Sequence, residues 1–332
     1  MSRKEQAKKL GYICLILVLV VVILFSGLRI LESTVLYKYQ ENDEITSSQT
    51  IERNGISYFP RRDITVILLM GIDKYGKVES SGSYDNSGRA DMVTLLIFDE
   101  AKENLDILSL NRDTMMDIPE LVLGGKYAGT TYGQLALSHT YGTGLEDSCE
   151  NTRKTVSDFL YGLNIDYYIA MNMDAVSILN DAVGGVTVNV TEDFSTVDPT
   201  ITQGELTLTG EQAIRYVQTR ANVGDQLNLS RMERQKKYMQ SFVEAFRHAN
   251  QSEDFIVNTY EEVSEYIVTD LSTKSMSALL NRFSEYELDE VVSLAGENKL
   301  GDGNNGEQVY EFYPDEEALD ELILRLFYAP KD

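Results

Sequence analysis

Leu105–Thr114, LDILSLNRDT, is the stretch from which the rest of the chain can be read. Its apolar run through Leu110 reads as a buried strand, and it stops abruptly on Arg112, Asp113 and the hydroxyl of Thr114. In α/β sheets ligands gather beyond the carboxyl ends of strands, which puts Arg112 and Asp113 at such an edge. Alone, the pair reads as an ordinary surface ion pair, and its neighbours decide otherwise. ITVILLMGID, 64–73, is a near-continuous apolar run of strand length that empties into a loop at Asp73. GRADMVTLLIF, 88–98, opens with Arg89 and Asp91 and continues as a second strand, joined to LDILSLNRDT by a short polar link that suits a hairpin. Asp73 and Asp91 then stand across neighbouring strands. A hard cation such as Mg²⁺ takes one or two carboxylates and completes its shell with water and phosphate oxygens, although carboxylates also end strands with no ligand at all.

The chain has 332 residues and is 43% hydrophobic, enough for a sizeable core. Gly11 to Leu28 carries no charge and is rich in Leu, Ile and Val, so 11–31 reads as a transmembrane helix behind a ten-residue cytoplasmic tail, with 32–60 as a polar juxtamembrane spacer. A cleaved signal peptide is the competing reading, because Arg3, Lys4, Lys8 and Lys9 form a basic n-region. The apolar run is long for that role, and the bulky Leu28–Glu32 segment that follows offers no small-x-small cleavage site. The positive-inside rule leaves the N-terminus cytoplasmic and everything after Glu32 outside the cell membrane. Of the 29 basic residues five precede Glu32, against one acid, so the exported part is more acidic than the chain's net charge of -24. Such a surface argues against nucleic acid as a partner and makes clustered arginines conspicuous. Cys14 falls in the apolar run and Cys149 is alone beyond it, so no intrachain disulfide is expected, which suits a Gram-positive type envelope.

Further along, TYGQLALSHTYGTG within 130–144 suggests a short helix closed by glycine, and 149–163 an amphipathic one. His139 reads as a satisfied helix-face residue. Strand-like DYYIAMNM, 166–173, leads to a helical segment ending at Gly184-Gly185 and to the alternating strand VTVNV, 186–190. LTLTGEQAIRYVQTR, 206–220, gives an extended piece, a helix capped at Thr209 and an exit at Arg220. Ser230–His248 is expected to be a helix with Ser230 as N-cap and Glu233 completing a capping box. Arg231 and Arg234 then crowd the positive end of that helix, a costly placement unless an anion such as pyrophosphate binds there. The acidic tail to 332 carries two helices, strands at DEVVSLAGE and QVYEFY, and a terminal helix, either completing the same sheet or adding a layer.

Taken together, GIDK (71–74), GRADMV (88–93), LSLNRDTMMDIP (108–119), LSHTYGTG (137–144), the run 165–190, 206–220 and SRMERQ (230–235) resemble the LytR-CpsA-Psr family over about residues 64–248. The resemblance implies a three-layer α/β/α sandwich around a central mixed sheet at 61–250, with 251–332 completing or flanking it. It implies transfer of a glycopolymer from a polyprenyl-pyrophosphate carrier to a hydroxyl of peptidoglycan at the outer membrane face. Asp73 and Asp91 are implied as Mg²⁺ ligands, and Arg89, Arg112, Arg220, Arg231 and Gln235 as surrounding the pyrophosphate, with Gln218 and Arg234 beside them. Asp91 or Asp225 is the carboxylate that would take the acceptor's proton, and Arg112 and Arg220 complete the expected catalytic set. The chain departs from the family pattern at Tyr75 and Gln218, where arginine is common, and at Asn111, where proline is usual. Two other readings stay open: hydrolysis of the pyrophosphate-linked lipid, and a non-catalytic polyprenyl-lipid scaffold.

Overall fold

A computed structural model describes residues 50–84, 86–122, 126–220, 222–224, 228–249, 253–283, 286–302 and 308–330. The expected transmembrane segment at 11–31 and its tail lie outside these residues, as does Asp225. Among the described residues no helix is long and apolar enough to cross a membrane.

The chain divides into two units, one reaching Pro60 and including the last three residues, the other spanning Arg61–Ala329. In the first, strands β1 (Ile51–Arg53) and β2 (Ile56–Pro60) pair as an antiparallel hairpin. The end of the spacer is therefore ordered strand, not irregular chain. Asn54 and Gly55 both take positive φ, as the two-residue turn between twisted strands requires.

The second unit is built on a mixed six-stranded sheet. Its strands are β3 (Ile64–Ile72), β4 (Ala90–Asp99), β5 (Asn104–Leu110), β8 (Tyr167–Asn172), β11 (Ile267–Thr269) and β12 (Glu287–Ser293), in the order β11-β8-β3-β4-β5-β12. β3, β4 and β5 are antiparallel neighbours, whereas β8 runs parallel to β3 and β12 parallel to β5. The apolar runs of β3 to β5 are buried on both faces, which is why they read as continuous hydrophobic stretches. Three two-stranded ribbons accompany the sheet: β6 (Met115–Val122) with β7 (Lys126–Gln134), β9 (Val186–Val190) with β10 (Gly204–Leu208), and β13 (Gly296–Asp302) with β14 (Gln308–Pro314); a short last strand, β15, spans Tyr328–Pro330.

Seven α-helices accompany them among the described residues: α1 (Glu146–Phe159), α2 (Met173–Ala182), α3 (Gly210–Gln218), α4 (Asn228–His248), α5 (Glu253–Val263), α6 (Thr273–Phe283) and α7 (Glu316–Phe327). Ile67, Phe98, Leu105 and Ile107 form a core cluster with Val243 of α4 on one sheet face. Tyr168, whose neighbours on β8 point to that cluster, turns the other way, to Cys149 and Glu150 of α1. Both edge strands, β11 and β12, come from the acidic tail, which therefore completes the sheet, while β13 and β14 form a separate ribbon.

Local differences from the sequence reading have physical causes. The segment expected to be a short helix at 130–144 is strand to Gln134 and then a 3-10 helix, Leu135–Thr140, because Thr130, Thr131 and Tyr132 favour the ribbon with β6. Thr209 caps α3 as expected, with Gln212 returning the bond to its backbone. α4 begins at Asn228, so Ser230 is its third residue and not its N-cap.

Candidate active site

The carboxyl ends of β3, β4's neighbour β5, and the first turns of α4 converge on Asp91. β3 and β4 pair in simple register from Ile64↔Asp99 to Gly71↔Met92, after which Ile72 faces Ala90, leaving Asp91 as an extra residue. The bulge turns its side chain: Asp91 and Met92, which strict alternation would send to opposite faces, line the same cavity. Asp91 Oδ1 accepts from Arg112 Nη1, and its Oδ2 from Arg231 Nη1 at 3.1 Å. Arg112 is further held by Asp113, whose Oδ1 accepts from Arg112 Nε at 3.1 Å. Asp113 is buried and orients its neighbour.

Arg231 is only 5% exposed. Burial lowers its pKa, and the Asp91 carboxylate opposes that fall, while the neighbouring Arg112 adds to it. The triad thus holds two guanidinium groups around one carboxylate at low exposure.

Asp73 lies just beyond β3, its backbone N–H donating to Arg89 O at 3.0 Å. Its Oδ1 accepts from Gln218 Nε2 at 3.2 Å, and Gln218 Oε1 accepts from the Tyr75 hydroxyl at 2.6 Å. Tyr75 and Gln218, two of the three positions at which the chain departs from the family pattern, therefore touch each other. Arg89 and Arg220 are exposed and have no ion-pair partner among the described residues. Gln235 donates to Val217 O at 3.1 Å and lines the cavity with Gln218, Asp91 and Arg231.

Arg234 does not join this cluster. It is fully buried, with Nε donating to Tyr216 O at 3.0 Å, Nη2 to Thr219 O, and Nη1 to Glu192 Oε1 at 3.3 Å, and it stacks over the Phe194 ring. It binds the exit of α3, which leads from Gln218 to Arg220, to α4, and its Nε, Nη1 and Nη2 are each engaged within the protein. Gln134 is the contact that sequence reading missed: its amide donates to Asp113 Oδ1 at 3.2 Å and to Tyr310 O at 2.7 Å, fastening β7 and β14 behind Arg112. No local pattern marks it, because its partners lie 21 and 176 residues away. His139 is buried and its pKa is lowered by that burial, with Nδ1 2.9 Å from Gly88 O, the environment of a neutral structural histidine.

Behind the polar cluster are two apolar cavities with shared walls. One, of about 130 Å³, is lined by Leu69, Met171, Leu179, Tyr238 and Phe242, and reaches Asp91, Arg231 and Gln218. The other, of about 210 Å³, lies deeper between the sheet and α4 to α6, with Leu69, Met171, Leu179, Met239 and Phe242 common to both. Its exposed lining is almost wholly apolar, from Ile67, Phe98 and Ile107 on the sheet to Phe246, Phe255 and Met276 on the helices.

Fold and site together describe an α/β protein whose apolar cavity ends on an arginine–aspartate cluster, an arrangement suited to an amphiphile with an anionic head. The chain belongs to the LytR_cpsA_psr family, whose model matches residues 31–326. It is 30% identical over 274 residues to a polyisoprenyl-teichoic acid–peptidoglycan teichoic acid transferase, TagU, of Enterococcus faecalis, covering 79% of this chain and 81% of that one. The TagU of Bacillus subtilis is 27% identical over 266 residues, covering 80% and 78% respectively. Among solved structures, B. subtilis TagV superposes with a TM-score of 0.61 at 24% identity, covering 80% of this chain and 96% of that one. TagT bound to LIIa-WTA superposes with a TM-score of 0.59 at 22% identity, covering 80% and 90%. These likenesses bear on the fold: a mixed central sheet in an α/β domain.

Proposed function

We propose that this protein transfers a glycopolymer from a polyprenyl-pyrophosphate carrier to a hydroxyl of peptidoglycan, the kind of reaction for which its transferase relatives are named. The observation that carries this reading is that a single cavity is lined both by Leu69, Val176 and Phe242 and by Asp91, Arg231 and Gln218. A polyprenyl tail would occupy the apolar part, leaving its pyrophosphate at the arginines.

Transfer of a phosphoryl group depends chiefly on position and on neutralising the non-bridging oxygens. Arg112 and Arg231 supply fixed N–H donors there, and their shared hold on Asp91 keeps them oriented before substrate arrives. Arg89, Arg220 and Gln235 would add contacts from the rim. The acceptor oxygen attacks the phosphorus that bears the glycan, its proton passing to a carboxylate. The bond to the lipid-side bridging oxygen breaks and polyprenyl phosphate leaves. Asp91 is the carboxylate of that pair within the described residues, Asp225 being the other sequence candidate. Mg²⁺ that keeps water and substrate phosphate oxygens in its shell needs only one or two protein carboxylates, and Asp73 is exposed with only Oδ1 engaged. Asp73 and Asp91 would hold the ion, which when bound supplies charge neutralisation to the phosphates. The expected helix at 11–31 would anchor the domain at the outer face of the cell membrane, beside its lipid substrate.

The test incubates the full-length protein with Mg²⁺, a polyprenyl-pyrophosphate glycan and peptidoglycan oligomers, with ligated product as the readout. Arg112→Ala should reduce ligation by about 10²-fold or more. Free phosphorylated glycan in place of ligated product would make the enzyme a hydrolase, and lipid retention without turnover would make it a scaffold.

A further inference from the structure

We propose that Tyr75 and Gln218 form a pyranose subsite at the mouth of this site, in which the Tyr75 ring is the platform for the first sugar of the carrier-linked glycan. The proposal rests on the pyrophosphate reading and extends it to what lies beyond the second phosphate. Tyr75 is 59% exposed, yet neither end of it is loose. Its hydroxyl donates to Gln218 Oε1 at 2.6 Å, and Gln218 Nε2 in turn holds Asp73 Oδ1 at 3.2 Å.

The backbone on both sides is pinned. Lys74 N–H donates to Ile72 O at 2.7 Å and Lys74 O accepts from Met173 N–H at 2.9 Å. Gly76 N–H donates to Asp174 Oδ2 at 2.6 Å, and Gly76 O accepts from Asn172 Nδ2 at 2.9 Å. Gly76 takes φ of +83°, a turn that a side chain there would strain. An exposed aromatic ring on a fixed backbone, tethered at its polar tip, has already lost the freedom that ligand contact would otherwise remove.

The chemistry selects the ligand class. The pair is neutral, so it adds nothing to phosphate neutralisation, and Gln218 shares the cavity mouth with Asp91 and Arg231, so whatever meets it follows directly on the anionic head. A ring with an apolar face and a polar tip suits a pyranose, whose C–H face packs on the aromatic surface while its hydroxyls meet the amide and phenol.

Full-length protein in nanodiscs distinguishes this from a general effect on the lipid site. Two ligands are compared: polyprenyl pyrophosphate, and the same lipid bearing one N-acetylhexosamine. The expected result is that the sugar tightens binding to the wild-type protein, that Tyr75→Ala weakens the sugar-bearing lipid about tenfold and leaves the bare lipid within about twofold, and that Tyr75→Phe, which keeps the ring, retains most of the gain. A loss shared equally by both lipids, or no loss for either, overturns the subsite. Failure of the wild-type protein to bind either lipid would instead sink the pyrophosphate reading, so the two failures are separable.

Discussion

Asp91→Asn removes the carboxylate shared by Arg112 and Arg231 while keeping the side chain's size. In the native protein Arg231 Nη1 lies 3.1 Å from Asp91 Oδ2, and the two side chains are 5% and 13% exposed. Breaking a pair at that burial leaves a guanidinium without its counter-charge beside a second one, a change that costs about 3–5 kcal/mol for a fully buried pair. The partial exposure of Asp91 and Arg112 favours the lower end, about 3 kcal/mol. At roughly 2–4 °C per kcal/mol for a domain of this size, Tm should fall by about 6–12 °C. Removing Arg231 as well, in Asp91→Asn/Arg231→Gln, should cost less than the sum of the two single changes, because the stranded charge goes with its partner. Thermal unfolding of the four proteins gives the coupling directly. Inorganic pyrophosphate added during the melt should raise Tm more in Asp91→Asn than in the wild type, since the uncovered arginines bind it better and stabilisation follows occupancy. An unchanged or raised Tm in Asp91→Asn, or equal stabilisation of both proteins by pyrophosphate, would show that Asp91 does not hold the two arginines together.

Arg234→Met should destabilise by about 3 kcal/mol or more in urea titration, because Tyr216 O and Thr219 O lose their buried donor and Glu192 its cation. Met239→Trp, placed on the wall common to both apolar cavities, should fill them and cut polyprenyl-lipid affinity at least about tenfold in a vesicle-binding assay, without a comparable loss of Tm. Asp106→Asn should stabilise the fold in a pH-dependent way. Burial, then the proximity of Asp289 and Glu290, raises the Asp106 pKa in the folded protein. The wild-type side chain is therefore no handicap below its unfolded pKa and becomes one as pH climbs through the raised value, so the variant's Tm advantage should be present at pH 7 and vanish toward pH 3.

Much of the sheet is legible because its strands are buried on both sides. ITVILLMGID, GRADMVTLLIF and LDILSLNRDT leave little but a central strand as a reading, and VTVNV alternates over the residues found in β9. Three of the site's elements follow, since Asp73, Arg112 and the entry to β4 are fixed by where the apolar runs stop. The ribbons β6–β7 and β13–β14 are harder: half-exposed, rich in Gly, Thr and Glu, and stabilised by pairing partners that composition does not announce. Arg234 shows the limit most sharply. Its place near a helix N-terminus suggested a bound anion, but sequence cannot show that the carbonyls of Tyr216 and Thr219 already face it. Nor does any pattern reveal the bulge, because one unmatched residue between two good strands leaves both periodicities intact.

The two edge strands of the central sheet and several walls of the deep cavity belong to residues after 250, among them Phe255, Tyr260 and Met276. The charged groups around Asp91 all precede that point, while β14 braces them from behind, Tyr310 O accepting from Gln134 and Phe312 N–H donating to Asp113 O. In a chain that emerges N-terminus first, the polar head site can be assembled while the compartment behind it is still open along one side. Enclosure of the larger cavity thus depends on the segment after residue 250. A chain cut short near residue 250 would retain every charge of the centre and lose much of the wall of the larger cavity behind it.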